Sequence, residues 1–138
     1  MPSAIVLGAG AEGLFCAGIA GQRGLRVLLI DSAPKLAEKI RISGGGRCNF
    51  TNRDLTFANF LSENRHFHKS ALSRYTPQDF VALIERHGIR WHEKTLGQLF
   101  CDTSAKEIVA MLRAEMAKAG ANLWLETEIG AISHDGTA

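Results

Sequence analysis

Six residues, GAGAEG at positions 8 to 13, are the first in the chain whose types and spacing could do chemistry. In a G-x-G-x-x-G run the first glycine permits a tight turn. The second lets the backbone approach a pyrophosphate, and the third allows a helix to pack closely on a strand. A helix that starts there points its free N–H groups and positive dipole end at the phosphates. Gly8, Gly10 and Gly13 are therefore candidate dinucleotide contacts. Asp31 lies eighteen residues after Gly13. A carboxylate in that position accepts hydrogen bonds from both hydroxyls of an adenosine ribose, and its charge repels a 2′-phosphate. The pair predicts NAD or FAD rather than NADP. Glu12 falls in the first helical turn, where a negative charge favours the dipole, so a local role is expected of it.

A second stretch, SGGGRCNFTN from Ser43 to Asn52, begins twelve residues after Asp31. It has almost nothing to bury. Gly45 and Gly46 let a large anionic group approach the backbone, and Arg47 can pair with a phosphate or hold the loop through carbonyls. A nicotinamide-binding half would run from its second strand through a helix to a third strand, and this chain inserts a glycine cluster instead. Two glycine-rich sites suit an extended FAD. Cys48, beside Arg47 and amid amides, is read either as a thiol of lowered pKa or as a small side chain packed against the cofactor. Asn49, Thr51 and Asn52 are residues that close turns locally.

These residues need elements to hold them. AIVLG (4–8) is a short apolar run suited to a parallel strand buried on both faces, Ala11 to Arg23 has helical spacing ending at Gly24, and LRVLLID (25–31) is a second strand. Residues 3–31 thus form a βαβ nucleotide unit with a right-handed crossover and parallel strands. From Asp31 to Arg74 the sequence reads as a long, polar, Gly-rich loop region, with the cofactor loop at 39–52. From 76 to 133 a helix, a hairpin, a second helix and a strand follow. Thr76 and Pro77 start the first helix and Gly88 ends it. IRWHEK and GQLFC pair around Thr95–Gly97. SAKE (104–107) has capping-box spacing. Leu123–Glu128 and Ile129–Ser133 read as extended, Trp91 and Trp124 as core or half-buried strand residues, and HDGTA as a turn with no strand after it. The expected fold is α/β, a Rossmann-like FAD/NAD(P)-binding domain with a parallel central sheet over 1–138, cut off at the C-terminus.

Composition excludes several partners. The 138 residues are 46% apolar and 22% charged with a formal charge of +2, which predicts one ordinary globular domain and no surface for nucleic acid or membrane. Cys16, Cys48 and Cys101 are too far apart for a disulfide framework or metal site, so a reducing cytoplasm is expected. The apolar run 4–20 has no basic flank and carries Glu12, which excludes a signal peptide. The five histidines are expected in solvated loops, with no metal.

GAGAEG with Asp31, KIRISGGGRCNFTN (39–52) and HEKTLGQLFCDTSAKEIVAMLRAEMAKAG (92–120) together resemble the BaiN-like or YhiN-like bacterial flavoproteins, a family that includes 3-dehydro-bile-acid reductases. The resemblance implies an FAD-dependent oxidoreductase about three times this length, with NAD(P)H as electron donor and a small organic acceptor such as an activated alkene. It places Gly8, Gly10, Ala11, Glu12 and Gly13 along the pyrophosphate and Asp31 on the ribose. Lys39, Gly45, Gly46, Arg47, Cys48 and Asn49 line the next part of the FAD cleft, and Ile129 offers its N–H and C=O to the adenine. No catalytic residue is identified. Two other readings stand beside it: an ADP- or FAD-binding module without turnover, and an inactive fragment.

Overall fold

The computed structural model describes residues 1–133 and 136. Its elements run β1 (Ala4–Leu7), α1 (Ala11–Gln22), β2 (Val27–Ile30), α2 (Glu38–Gly46), β3 (Asn49–Asn52), α3 (Lys69–Arg74), α4 (Pro77–Arg86), β4 (Trp91–Glu93), β5 (Gln98–Cys101), α5 (Lys106–Lys118) and β6 (Asn122–Trp124). They divide into two compact units, residues 1–39 with 112–138, and residues 40–111. The sequence reading expects a single domain.

In the first unit β1, β2 and β6 form a parallel sheet in the order β1-β2-β6. Val27 and Leu29 are buried, and α1 covers that side through Leu14, Ala17 and glycines. At Gly13 a side chain has no room, because a Cβ there would stand 1.8 Å from the Gly8 carbonyl oxygen and 3.4 Å from Leu29 Cδ1. A Cβ added at Gly21 would meet Ala119 Cβ at 2.7 Å, so the small residue lets α1 approach the chain just past α5. The opposite side of the sheet carries Ile5, Leu7 and Trp124, and all three are exposed.

The second unit is built on an antiparallel sheet in the order β3-β5-β4. Its buried side chains include Leu83, Ile84, Leu99, Ile108 and Met111. Phe50 packs against Phe80 and edge-on to Trp91, at centroid distances of 6.1 and 6.5 Å. Helix α4 starts as the sequence predicts, with Thr76 capping Asp79 and Pro77 at the first helical position. The hairpin β4–β5 turns at Thr95–Gly97. At the start of α5 the Lys106 N–H donates to Ser104 Oγ, and the Ser104 N–H donates to the Glu107 carboxylate.

Four sequence expectations change. The 32–74 region is not one loop, since it holds α2, β3 and α3. Within it, 39–42 are helical, the chain leaves the helix at Ser43 (ψ 147°), and 49–52 are strand, so only the middle of the 39–52 segment is loop. Ile129–Ser133 is not a strand, because β6 ends at Trp124 and the backbone turns at Glu126 (φ +51°). Trp91 is half-buried on β4, but Trp124, expected as core or half-buried, is 56% exposed. Of the HDGTA turn, His134, Asp135, Thr137 and Ala138 lie outside the described residues.

Candidate functional site

The dinucleotide fingerprint folds as its spacing requires. Gly8 follows β1 with φ +97°, a conformation costly for any residue with a Cβ, and its N–H donates to the Ile30 carbonyl at 2.8 Å. Ala9, fully buried, donates its N–H to Asp31 Oδ2 at 2.6 Å and accepts at its carbonyl from the Ala37 N–H at 2.8 Å. Asp31 Oδ1 accepts from the Ala33 N–H at 2.7 Å. These two backbone donors, Ala33 first and then Ala9, hold the Asp31 carboxyl below the usual carboxylate range, with partial burial opposing them. Asp31 therefore has a role that sequence reasoning missed, since it ties the glycine turn to the end of β2. A carboxylate offers about four lone-pair sites, so acceptor capacity for a ribose remains.

Past β6 the chain stays close to this point. The Asp31 N–H donates to the Trp124 carbonyl, the Thr127 N–H donates to the Asp31 carbonyl, and Glu126 N–H donates to Ala33. The result is a cleft of about 420 Å³ lined by Gly8, Ile30, Asp31, Ser32, Thr127, Glu128 and Ile129. It lies at the carboxyl ends of the parallel strands, where open α/β sheets take their ligands. Ile129 lines it from the segment after β6 and not from the strand itself. A larger hollow of about 720 Å³ lies at the opposite ends of the strands, lined by Met1, Pro2, Arg26 and Trp124 among others. Its lining holds no carboxylate, and its turn glycines, Gly24 and Gly120, follow the ends of helices rather than open one, so the smaller cleft is the candidate site.

Glu12 is exposed, and its Oε2 would stand 3.4 Å from a Cβ on Gly10. Its carboxylate thus lies over the turn it begins. Gly10 and Ala11 are partly exposed at the start of α1, and Lys39 is exposed at the edge of its unit.

The second glycine cluster has its own local architecture. Gly44, Gly45 and Gly46 take φ of +57°, +65° and +83°, and Cys48 takes +52°. A Cβ at Gly44 would stand 2.7 Å from the Phe100 ring, so the loop packs directly on β5. The Cys101 N–H donates to the Arg47 carbonyl, the Ala105 N–H to Gly46 and the Cys48 N–H to Ser43. Gly45, Arg47 and Asn49 are exposed, and Cys48 is buried. Burial pushes the Cys48 thiol up, with a Ser43 hydrogen bond opposing, which favours the packed side chain over the activated thiol of the two readings. Cys101, also buried, is pushed to about 12 by desolvation and then by Cys48. The Cys101 N–H bond to the Arg47 carbonyl brings the backbones at the two cysteines together, although the sequence separates them by more than fifty residues.

Two histidines depart from the expected solvated loops, whereas His66 is exposed in a turn as expected. His92, on β4, has Nδ1 2.8 Å from Asp102 Oδ1 and stacks on Phe100 at 6.3 Å. An imidazole oriented by a carboxylate can exchange a proton at Nε2. Both ring nitrogens of His68 are buried without a hydrogen-bond partner. Among the described residues no cluster of His, Cys, Asp and Glu fits a metal ion, and no helix is long and apolar enough to cross a membrane.

Comparison with known proteins places this geometry among relatives. Residues 2–138 match the HI0933-like protein Rossmann domain. A ribosomal RNA dihydrouridine synthase of Escherichia coli K12 is 54% identical over 134 residues, 97% of this chain and 34% of that protein. One of the same name from Haemophilus influenzae is 51% identical over 93% of this chain and 32% of its own length. The chain thus spans about a third of the curated relatives it matches. Those relatives are named for RNA, not for bile acids, which narrows the resemblance read from the sequence. Among solved structures, glycine oxidase from Bacillus cereus aligns with 99% of this chain and 50% of its own at a TM-score of 0.58 and 15% identity. The protein AlpK gives 0.57 at 18%, covering 99% of this chain and 26% of its own. Likeness at that identity supports the Rossmann-like α/β fold.

Proposed function

The chain belongs to the HI0933-like Rossmann-domain family, and from that premise we propose that it is the dinucleotide-holding part of an FAD-dependent oxidoreductase that reduces uridine in ribosomal RNA. The observation that carries the cofactor reading is Asp31, fixed at the end of β2 by the Ala9 and Ala33 amides beside the cleft. FAD, when bound, supplies two-electron chemistry. The net reaction adds a hydride equivalent and a proton across the ring C=C of uracil, an alkene activated by its conjugated carbonyl, with NAD(P)H as the source of the electrons.

In this reading Gly8, Gly10, Ala11 and Gly13 let the pyrophosphate approach, and the first turn of α1 offers unpaired N–H groups to it. Asp31 takes the ribose hydroxyls, and Ile129 meets the adenine. Glu12 balances the helix dipole. Lys39, Gly45, Gly46, Arg47, Cys48 and Asn49 contact the next part of the cofactor, Arg47 as the exposed cation and Cys48 as buried packing beneath the loop.

The cleft at Asp31 and Ile129, whose lining suits the adenosine end of the cofactor, favours one second reading, a module that holds the ADP half of FAD without turnover. Melting the purified chain with FAD, with ADP and with neither separates the outcomes. Stabilisation by both supports the cofactor site; stabilisation by neither sinks it. Turnover is read by mass spectrometry of ribosomal RNA uridine after incubation with FAD and NAD(P)H, where a gain of two hydrogens supports the enzyme. Binding without that gain leaves the module.

A further inference from the structure

Between β3 and α4 the chain presents a surface that the cofactor reading does not use. Every residue from Thr56 to Phe67 is exposed. Four of them are large and apolar: Phe57, Phe60, Leu61 at 97% and Phe67 at 80% exposure. The same stretch, continued to Tyr75, carries Arg65, Lys69 and Arg74 against one carboxylate, Glu63, together with His66 and His68. A chain of net charge +2 thus concentrates its cations locally, which the whole-chain average conceals.

The aromatic residues are organised. The His68 ring stacks on Phe60 at 4.8 Å and 23° and lies 5.8 Å from Phe57, and Lys69 Nζ sits 5.9 Å from the Phe57 centroid. His68 has neither ring nitrogen bonded, so its place is set by the rings around it. Phe57 and Phe60, steadied from one side by the imidazole, keep partly exposed edges and faces.

Exposed aromatics interleaved with cations are what unpaired RNA requires, since bases stack on rings and phosphates pair with Lys and Arg. A protein-binding patch is instead depleted of Lys at its centre. Resting on the reading that the relatives' RNA chemistry extends to this protein, we infer that residues 56–74 are a platform for single-stranded RNA. Phe57, Phe60 and Phe67 stack bases, and Arg65, Lys69 and Arg74 hold phosphates.

The test is fluorescence anisotropy of a fluorescein-labelled twelve-nucleotide oligouridylate against the 138-residue chain at 50 to 200 mM KCl. Three phosphate contacts predict a log K against log salt slope of about −2. Phe57→Ala and Phe67→Ala should each weaken binding about tenfold, and Arg65→Gln or Lys69→Gln should flatten the slope by about 0.7. ADP stabilisation should not change in these variants. Phe67 is exposed enough that its truncation keeps the test open if another variant fails to fold. Oligouridylate binding that all four variants retain in full overturns the platform and leaves the RNA reading standing. No binding by the parent chain, with ADP stabilisation intact, overturns both the platform and the RNA part of the function. Self-association abolished by Phe67→Ala, without RNA binding, assigns the surface to protein and overturns the inference.

Discussion

Gly13 is the residue on which the first turn depends, because the Gly8 carbonyl occupies the space a side chain would need. Gly13→Ala must push the turn away from α1. Overpacking of this kind costs about 3 kcal/mol, and it distorts the backbone that is to receive phosphate. The expected outcome is a lowered melting temperature together with loss of ADP stabilisation; a variant that melts lower but still binds ADP normally would show the turn to be structural only. Asp31 makes a second prediction. Its pKa is depressed in the folded chain by the Ala33 and Ala9 amides, so its contribution is present above the unfolded carboxylate range and is lost as pH falls through the lower, folded value. Stability should therefore decline below about pH 4. Asp79, lowered by its Thr76 bonds, contributes in the same direction. The comparison with Asp31→Asn isolates the first group: the variant should be less stable at neutral pH and should decline less on acidification. Equal acid slopes in the two proteins would remove Asp31 from the account.

At the scale of elements, what could be read from the sequence followed from how strongly each segment's pattern opposes alternatives. The βαβ unit is legible because buried apolar runs and glycine punctuation coincide, and the β4–β5 hairpin because two short apolar runs flank a turn. Strand β3, Asn49–Asn52, was not, since three of its four residues are polar and only its pairing with β5 makes it a strand. The His92–Asp102 pair escaped for a related reason, because hairpin register, not local spacing, brings the two together. Thr127 to Ile129 reach the cleft through backbone bonds around Asp31 that no pattern announces. Helix α4 allows a direct check of a legible signal. Thr76 Oγ1 accepts from the Asp79 N–H at 3.2 Å, and Thr76→Ala should cost about 1 kcal/mol, read as a fall in the denaturant midpoint with the slope unchanged. An unchanged midpoint would mean that Pro77 and the apolar face of α4 suffice to start the helix.

At the scale of the whole molecule, a parallel sheet is ordinarily covered on both faces, and here α1 covers one. The other presents Ile5 at 57% exposure, Leu7 at 48% and Trp124 at 56%, neighbours across β1, β2 and β6. Leu28 and Ile30, between them in the sheet, are the better shielded members of the same face. A contiguous apolar surface of this kind binds hydrophobic dyes and promotes association. The 138-residue chain should enhance the fluorescence of anilinonaphthalene sulfonate while retaining the near-ultraviolet circular dichroism of a packed core. Ile5→Thr with Leu7→Thr puts β-branched residues, which strands favour, at both positions and removes apolar area, so the dye signal should fall by about half or more if this face accounts for it. The double variant leaves Asp31 and the glycine turn in place, so ADP should stabilise it as it does the parent. A dye signal unchanged by the two substitutions, or one accompanied by loss of near-ultraviolet dichroism in the parent chain, would place the exposed apolar surface elsewhere.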